Sequence, residues 1–298
     1  MPFKILSQLI ALSALWGASF LFIRIASPVL GPLVLAGLRI GLATLTLAYI
    51  MHALRQRWAW AHWRELLLVG VLSVAIPFVL YAWAGLHIPA GYSALLNTSS
   101  VLFGCLASAW LKMERLNPRK LLGCALGFAG VALVVRLGPI APSSTVLWAA
   151  LACTGAALCY GVSTPLMKRA VTHIEPVAIA AGIHLWSVVL LAPASLWTLP
   201  EARFTVPAML AVSILGIITS ALAYWVHLRI LRQVSVTAAM TPAFLIPLFG
   251  VAWGHLFLGE PLSSGMLAGA ALILIATALV SEFNPFAPPA LDAVAAKP

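Results

Sequence analysis

A chain of 298 residues that is 63% hydrophobic and only 8% charged cannot cover a water-facing surface, because an ordinary soluble domain carries about 25% charged residues. The formal net charge of +10 does not indicate a nucleic-acid-binding protein, since the basic residues lie between long apolar runs, where they set membrane topology. Composition therefore favours an integral membrane protein that has lipid, and no nucleic acid, as its partner.

Apolar runs predict the secondary structure. A helix needs about 20 consecutive apolar residues to cross the hydrocarbon core of a bilayer. Such runs occur ten times, and they do not alternate polar and apolar residues as the strands of a membrane barrel would. The predicted spans cover residues 5–25, 33–51, 65–86, 90–111, 119–136, 147–167, 176–197, 207–228, 236–257 and 263–281.

The distribution of Lys and Arg predicts the orientation. Thirteen of the 17 basic residues fall at the two termini or in alternate loops, three fall on the other side, and Arg39 lies within the second span. Because cytoplasmic loops carry the excess of basic residues, we expect both termini to be cytoplasmic, in the cell membrane. Residues 282–298, rich in Ala and Pro, are predicted to form a disordered cytoplasmic tail.

Polar and aromatic side chains within the first four spans are candidates for a substrate cavity. Trp16 lies about halfway through the first span, away from the interfaces that aromatic residues favour, so it either lines a cavity or packs between helices. The charge of Arg39 either receives a substrate carboxylate at the outer mouth, or the side chain bonds helix carbonyls or snorkels outward. Asn97, in the polar run N-T-S-S, must face protein or cavity because lipid offers no hydrogen bonds. The further candidates are Ser19, which could equally bond its own helix, Tyr81, Ser100, and Pro77 as a kink or hinge.

The second half of the chain holds matching candidates. Tyr160 lies about halfway through the sixth span, and Tyr224 lies late in the eighth span, as Tyr81 does in the third. An interfacial position is the alternative for Tyr81 and Tyr224. His184 in the seventh span could titrate, but we expect a neutral histidine that packs between helices. Ser163 and Thr241 complete the cavity candidates, and Pro242 and Pro247 are candidates for a hinge or a packed kink.

Two motifs recur along the chain. W-G-A-S at residues 16–19 returns as Y-G-V-S 144 positions later, and L-F-G at residues 102–104 returns unchanged 146 positions later. Ordered matches of this kind predict one five-helix repeat over residues 1–140 and a second over residues 141–281. Because five is odd, the second repeat must enter the membrane from the opposite side, and inverted repeats around a central cavity are typical of transporters that work by alternating access.

Four stretches of the chain also resemble a known family. W-G-x-S-F early in the first span, Leu38-Arg39 in the second, M-E-R-L after the fourth and G-E-P-L after the ninth resemble the EamA-type exporters of the drug/metabolite transporter superfamily. The resemblance covers roughly residues 5–281. It implies a basket of ten helices with cytoplasmic termini, a central cavity lined mainly by spans 1, 3, 4, 6, 8 and 9, and peripheral spans 5 and 10. Members of this superfamily move amino acids, related metabolites, nucleotide sugars or drugs.

The chemistry of the candidates indicates the type of substrate. Neutral hydroxyls, an amide and aromatic rings suit a zwitterion better than a multiply charged nucleotide sugar. We therefore expect a carrier that exports amino acids or related small metabolites; a drug or nucleotide-sugar carrier of the same superfamily and a channel are the alternatives. All seven acidic residues lie at span ends, in loops or in the tail, so we expect facilitated transport without proton coupling.

No enzyme activity, cofactor or metal site is predicted. The four cysteines lie in apolar runs without a CxxC pair, and the sequence contains no HExxH motif, paired intramembrane Asp or Ser/His dyad at helical spacing. The glycine pairs Gly123/Gly127 and Gly265/Gly269 permit close helix contacts, either within the chain or between two copies. We expect a monomer or a weak homodimer.

Overall fold

The computed structural model describes residues 3–112, 117–137, 141, 143–233 and 242–280, and these ranges are almost entirely helical and contain no β-strand. The M-E-R-L motif, Thr241 and the tail predicted over residues 282–298 lie outside the described residues. The α-helices are α1 (Phe3–Leu30), α2 (Pro32–Ala53), α3 (Trp63–Gly70), α4 (Ile76–Ala84), α5 (Ala90–Asn97), α6 (Ser99–Trp110), α7 (Pro118–Leu137), α8 (Ser144–Ala170), α9 (Pro176–Thr198), α10 (Val206–Ser213), α11 (Ala223–Gln233), α12 (Pro242–Leu258) and α13 (Ser264–Val280). The predicted all-α class is confirmed.

Several helical segments can cross a membrane. Among the described residues, six are both long and apolar enough: Ser7–Leu30, Pro32–Ala53, Trp60–Ala84, Ser144–Ala170, Pro176–Glu201 and Val206–Gln233. Large apolar side chains cover the outer surface of the helices, and Leu45, Trp110 and Trp197 are 70%, 81% and 87% exposed. Such a surface fits lipid as its solvent, so the chain is an all-α membrane protein. The number of spans and their orientation stay predictions.

The fourth predicted span is interrupted at its polar centre. α5 ends at Asn97, and α6 begins at Ser99. The hydroxyl of Ser99 donates to the Leu96 carbonyl at 2.7 Å, and that of Thr98 donates to the Ala94 carbonyl at 3.4 Å. Such side chains compete with the backbone for hydrogen bonds, and the backbone nitrogens of Thr98 and Val101 here donate to carbonyls only three residues earlier, so the N-T-S-S run interrupts the regular α-helical bonding.

The two recurring motifs meet crosswise in space. α1 packs on α12 and α8 packs on α6. A Cβ atom on Gly17 of α1 would lie 3.0 Å from the backbone nitrogen of Gly250, and one on Gly161 of α8 would lie 2.6 Å from the backbone nitrogen of Gly104. Each aromatic–Gly–x–Ser motif therefore contacts the L-F-G motif of the other half of the chain, and glycine allows the two backbones to approach.

The remaining glycine motifs are used in packing within the chain. α7 and α13 pack chiefly on each other. A Cβ atom on Gly269 would lie 3.0 Å from the Gly130 carbonyl oxygen, and one on Gly127 would lie 3.2 Å from the Cβ atom of Ala276. These contacts hold the fifth and tenth predicted spans against each other at one side of the bundle.

Glu260, from the G-E-P-L motif, joins the end of α12 to the start of α5. Its two carboxylate oxygens accept hydrogen bonds from the backbone nitrogens of Ala90 and Gly91, at 2.6 and 3.1 Å. The first N–H groups of a helix have no partner within the helix, and a negative charge there also favours the helix dipole. The preceding Gly259 has a positive φ of 63°, which glycine adopts readily and which directs the chain back toward α5.

The crossing of α6 and α8 gives a first testable prediction. We expect Gly161→Ala to lower the free energy of unfolding by about 1–3 kcal/mol, because the added methyl group has no room beside Gly104 and must force α8 away from α6. Gly41→Ala is the matched control, since a Cβ atom there would meet nothing within 4 Å. Unfolding of both variants in mixed detergent micelles is the measurement. Equal stability of Gly161→Ala and wild type would contradict this account of the crossing.

Candidate functional site

A cavity with about 820 Å³ of empty space, its mouth included, lies between helices from both halves of the chain. From the first half, α1, α2, α4, α5 and α6 contribute side chains; from the second, α8, α11 and α12 do. The wall consists of Trp16, Ser19, Phe20, Ile23, Arg39, Phe78, Tyr81, Asn97, Ser100, Tyr160, Thr164, Met167, Tyr224, His227 and Ile246. It is largely aromatic and apolar, with a few hydroxyls, one amide, one histidine and one cation.

Aromatic rings form one continuous part of this wall. The ring of Tyr81 stacks on that of Tyr160 at a centroid distance of 6.0 Å, and Phe20 meets Tyr81 edge-on at 5.3 Å. The Tyr81 hydroxyl donates to Oδ1 of Asn97 at 2.7 Å. This bond leaves the amide nitrogen of Asn97 as a donor on the cavity wall.

Trp16 is fixed by the opposite half of the chain. Its Nε1 donates to the carbonyl of Thr219 at 3.1 Å, and its ring lies edge-on to those of Tyr224 and His227, at centroid distances of 6.3 and 5.1 Å. An indole that is hydrogen-bonded at one end and packed at its edge has little rotational freedom. Trp16 is therefore a rigid aromatic surface at the cavity.

Two π-helical segments lie next to the cavity, Val71–Ala75 between α3 and α4, and Ile214–Leu222 between α10 and α11. Such segments leave some carbonyls without a regular helical partner, and they are frequent at functional sites. In both segments a cavity side chain supplies a donor. The Thr219 carbonyl accepts from Trp16, and the Ser73 carbonyl accepts from the Tyr224 hydroxyl at 2.7 Å.

Pro77 explains the second of these bonds. Proline has no N–H group, so residue 77 cannot donate to the carbonyl four residues earlier, which belongs to Ser73. The sequence predicts that a carbonyl freed in this way needs another partner, and Tyr224 is that partner. Pro77 is buried beside the cavity without lining it, and its neighbour Phe78 forms the wall.

Arg39 is 6% exposed and forms part of the cavity wall. Its Nε donates to the Ser220 hydroxyl at 2.8 Å, and its guanidinium lies 3.6 Å from the centre of the Phe78 ring. The π-helical segment Ile214–Leu222 thus offers hydroxyls to this buried side chain, and α4 offers an aromatic ring. The binding of a substrate carboxylate by Arg39 stays a prediction.

The other residues predicted from the sequence fall into three groups. On the wall lie Trp16, Ser19, Tyr81, Asn97, Ser100, Tyr160 and Tyr224, although their binding of a substrate stays a prediction. Ser163 is fully buried away from the wall, and its hydroxyl donates to the Tyr160 carbonyl of its own helix; its neighbour Thr164 lines the cavity instead. Pro242 and Pro247 are buried in α12 off the wall, and α12 reaches the cavity through Ile246.

His184 packs behind the cavity. It is fully buried, its Nδ1 donates to the Ala180 carbonyl at 2.8 Å, and its ring lies edge-on to Tyr224 at 5.3 Å. His184 therefore lies where a histidine that packs between helices is expected. The cavity histidine is His227, which sequence reasoning missed although it lies one helical turn after Tyr224 on the same helix face.

Sequence reasoning also missed the apolar part of the wall. Phe20, Ile23, Phe78, Met167 and Ile246 line the cavity, and only Phe20 carried a signal, because it follows the first W-G-A-S motif directly. In so apolar a chain, hydropathy does not distinguish a residue that faces a cavity from one that faces lipid or another helix.

Outside the cavity, one group of described side chains could hold a metal ion. Ligand atoms of His62, Glu65 and His173 lie within 4.8 Å of one another. His173 Nε2 already donates to Glu65 at 3.0 Å, and both side chains are partly exposed to solvent. The group links α3 to the turn after α8, and it lies apart from the residues that line the cavity.

Comparison with known families identifies the fold. A model of the EamA-like transporter family matches residues 4–136 and, a second time, residues 147–282. The chain belongs to the EamA-like transporter family. The family expected from the sequence motifs is confirmed, and with it a membrane transporter that has a small-molecule substrate.

Several relatives are similar in sequence to this transporter over most of its length. It is 27% identical to the uncharacterized transporter YvbV of Bacillus subtilis, over 90% of this chain and 88% of that protein. It is 26% identical to a probable terminal-alkyne amino-acid exporter of Streptantibioticus cattleyicolor, over 90% of each chain. It is 24% identical to a probable amino-acid metabolite efflux pump of Salmonella typhimurium, over 87% of this chain and 88% of that one.

A solved crystal structure shares the fold. It superposes with a TM-score of 0.68, covers 94% of this chain and 96% of its own, and is 20% identical in sequence. At this level of identity the likeness concerns the fold alone.

The bond between Tyr224 and Ser73 gives a prediction for the transporter. Tyr224→Phe removes the donor and leaves the carbonyl freed by Pro77 without its partner, so we expect the free energy of unfolding to fall by about 1 kcal/mol. Tyr49→Phe is the control, since its ring is 73% exposed on the outer surface. Denaturation in detergent micelles measures both; a Tyr224→Phe variant as stable as the Tyr49→Phe variant would contradict the assigned bond.

Proposed function

We propose that this transporter exports amino acids or related small metabolites by alternating access through the central cavity. Transport is facilitated by the substrate gradient and is not coupled to protons. Ten spans form two inverted five-helix repeats, residues 1–140 and 141–281, with both termini in the cytoplasm. One observation carries the proposal. The family model matches each half of the chain, and neutral polar and aromatic side chains from both halves meet around one cavity.

Several correspondences between the halves support the inverted repeat. The family model matches the chain twice. The glycine crossing of α1 with α12 corresponds to that of α8 with α6. The two π-helical segments begin at Val71 and Ile214, an offset of 143 positions that Tyr81 and Tyr224 share. Two copies of one plan that enter the membrane from opposite sides can exchange shapes, which would open the cavity alternately to each side.

The lining supports a small zwitterionic substrate. Aromatic faces, the Asn97 amide and the hydroxyls of Ser100 and Thr164 can surround a compound with one ammonium group and a variable side chain. A nucleotide sugar carries several negative charges, and the described wall offers only one cation against them. Two relatives support the same class: one is named a probable terminal-alkyne amino-acid exporter and the other a probable amino-acid metabolite efflux pump.

The acidic residues support uncoupled transport. Proton-coupled carriers commonly use ionisable carboxylates within the membrane. None of the side chains that line the described cavity is a carboxylate. A concentration gradient of the substrate therefore suffices to drive movement.

Reconstituted efflux tests this function. The purified transporter is placed in liposomes preloaded with a mixture of amino acids and other metabolites, and released compounds are identified by mass spectrometry. We expect amino acids to leave faster than from empty liposomes, to exchange with amino acids outside, and to show no accumulation after a pH jump across the membrane. If amino acids did not compete with the compounds that are released, the proposed substrate class would be wrong. If a pH jump drove the substrate to accumulate, transport would be coupled to protons.

Trp16→Ala tests the cavity in the same assay. The indole is a rigid part of the wall, so we expect efflux to fall by about tenfold or more, which corresponds to about 1.4 kcal/mol. Trp197→Ala, which removes an indole that is 87% exposed on the outer surface, should leave efflux unchanged. Equal rates for both variants at equal expression would remove Trp16 from the transport path.

A further inference from the structure

We propose that Arg39 binds the carboxylate of the transported compound, so that the cavity recognises carboxylates, as zwitterions or as simple acids, and rejects the matching amides. This inference rests on the proposed function, which it narrows: it names the group on the substrate that is recognised and the residue that recognises it. The recognition site is the part of the cavity wall where Arg39 lies.

Arg39 carries an unbalanced charge. The guanidinium is almost completely buried, and a buried charge costs free energy unless it is paired. The acidic side chains that the structure describes all lie at helix ends or in loops, away from the cavity wall: Glu65, Glu175, Glu201 and Glu260. Within the described ranges, Arg39 therefore has no protein carboxylate to neutralise it.

Arg39 also has hydrogen-bond donors to spare. A guanidinium has five N–H groups in a plane. Nε donates to the Ser220 hydroxyl at 2.8 Å, and Nη2 reaches the Thr219 hydroxyl at 3.5 Å. The other N–H groups, both of those on Nη1 included, meet no acceptor among the described residues, and they belong to a side chain on the cavity wall.

The guanidinium of Arg39 is held rigidly. Phe78 lies against the face of the guanidinium, 3.6 Å from its carbon to the ring centre, while Ser220 holds one edge. An edge that is already oriented binds a partner with a smaller loss of conformational entropy. A carboxylate fits two parallel N–H donors of a guanidinium, and such charged pairs are stronger than neutral hydrogen bonds.

The chemistry excludes other partners of similar size. A neutral amide cannot cancel the charge of Arg39, and an amine without a carboxylate would place a second cation in a cavity whose described lining contains no anion. The aromatic wall formed by Phe20, Tyr81 and Tyr160 can take the apolar remainder of the compound.

Ligand binding to the purified full-length transporter tests the proposal without any transport. The probes are hexanoate with hexanamide, and L-leucine with L-leucinamide, and the readout is the melting temperature in detergent. We expect both carboxylates to raise the melting temperature of the wild type and both amides to leave it unchanged. An equal shift with acid and amide, or no shift with either, would overturn the proposal.

Variants assign the effect to Arg39. In Arg39→Gln we expect the carboxylates to bind about tenfold more weakly or worse. Arg39→Lys keeps the charge but loses the planar pair of donors. Its affinity for the carboxylates should therefore lie between that of the wild type and that of Arg39→Gln. Arg203→Gln, on an exposed cation outside the cavity, is the matched control and should respond as the wild type does.

If Arg39→Gln does not fold, a second variant tests the same proposal. Ser220→Ala keeps Arg39 but removes the hydroxyl that holds Nε, and it should weaken carboxylate binding several-fold. If Arg39→Gln or Ser220→Ala bound hexanoate as the wild type does, the assignment to Arg39 would be wrong.

Efflux of L-leucine and L-leucinamide separates this inference from the proposed function. Efflux of both at the same rate overturns the carboxylate site and leaves an amino-acid transporter in place. Binding of hexanoate that depends on Arg39, without efflux of any amino acid, supports the site and contradicts the proposed amino-acid transport.

Discussion

Backbone polar groups inside a bilayer have no water to bond with, and this constraint determines how the cavity of this transporter is built. Where Pro77 and the two π-helical segments interrupt regular helical bonding, donors come from the opposite half of the chain. Tyr224 bonds the Ser73 carbonyl, and Trp16 bonds the Thr219 carbonyl. The side chains that satisfy the interrupted helices are therefore the same ones that form the cavity wall, so the wall and the helix irregularities depend on each other.

Close helix crossings hold these partners at the required distance. At Gly17 and Gly161 the backbones approach so closely that a methyl group would collide with the facing helix. Each crossing joins the two halves of the chain and lies close to a side chain on the wall: Gly17 directly follows Trp16, and Gly161 lies one turn before Thr164. A movement of one half against the other would thus change both crossings and the cavity together, as alternating access requires.

The sequence predicts the all-α membrane class, because each helix that crosses a bilayer needs a long apolar run. It predicts the family because the family's motifs occur in order along the chain. It also singles out Trp16 and Tyr160, since aromatic residues in mid-span contradict the usual interfacial preference. It does not distinguish Phe78, which lines the cavity, from apolar residues that face lipid, because all have the same hydropathy. Nor does it predict the π-helical segments, or the bond from Arg39 to Ser220, because Ser220 is distant in sequence.

Access to the cavity from both sides of the membrane is the central claim, and thiol labelling measures it directly. Ser100, on the wall, is replaced by Cys in a transporter whose four native cysteines are changed to Ala; Ser99→Cys, buried beside it, is the control. An impermeant thiol reagent is applied to either side of oriented vesicles, with and without substrate. We expect Ser100→Cys to react from both sides, substrate to change the two rates, and Ser99→Cys to remain unlabelled. Reaction of Ser100→Cys from one side only, whatever the substrate, would contradict alternating access through this cavity.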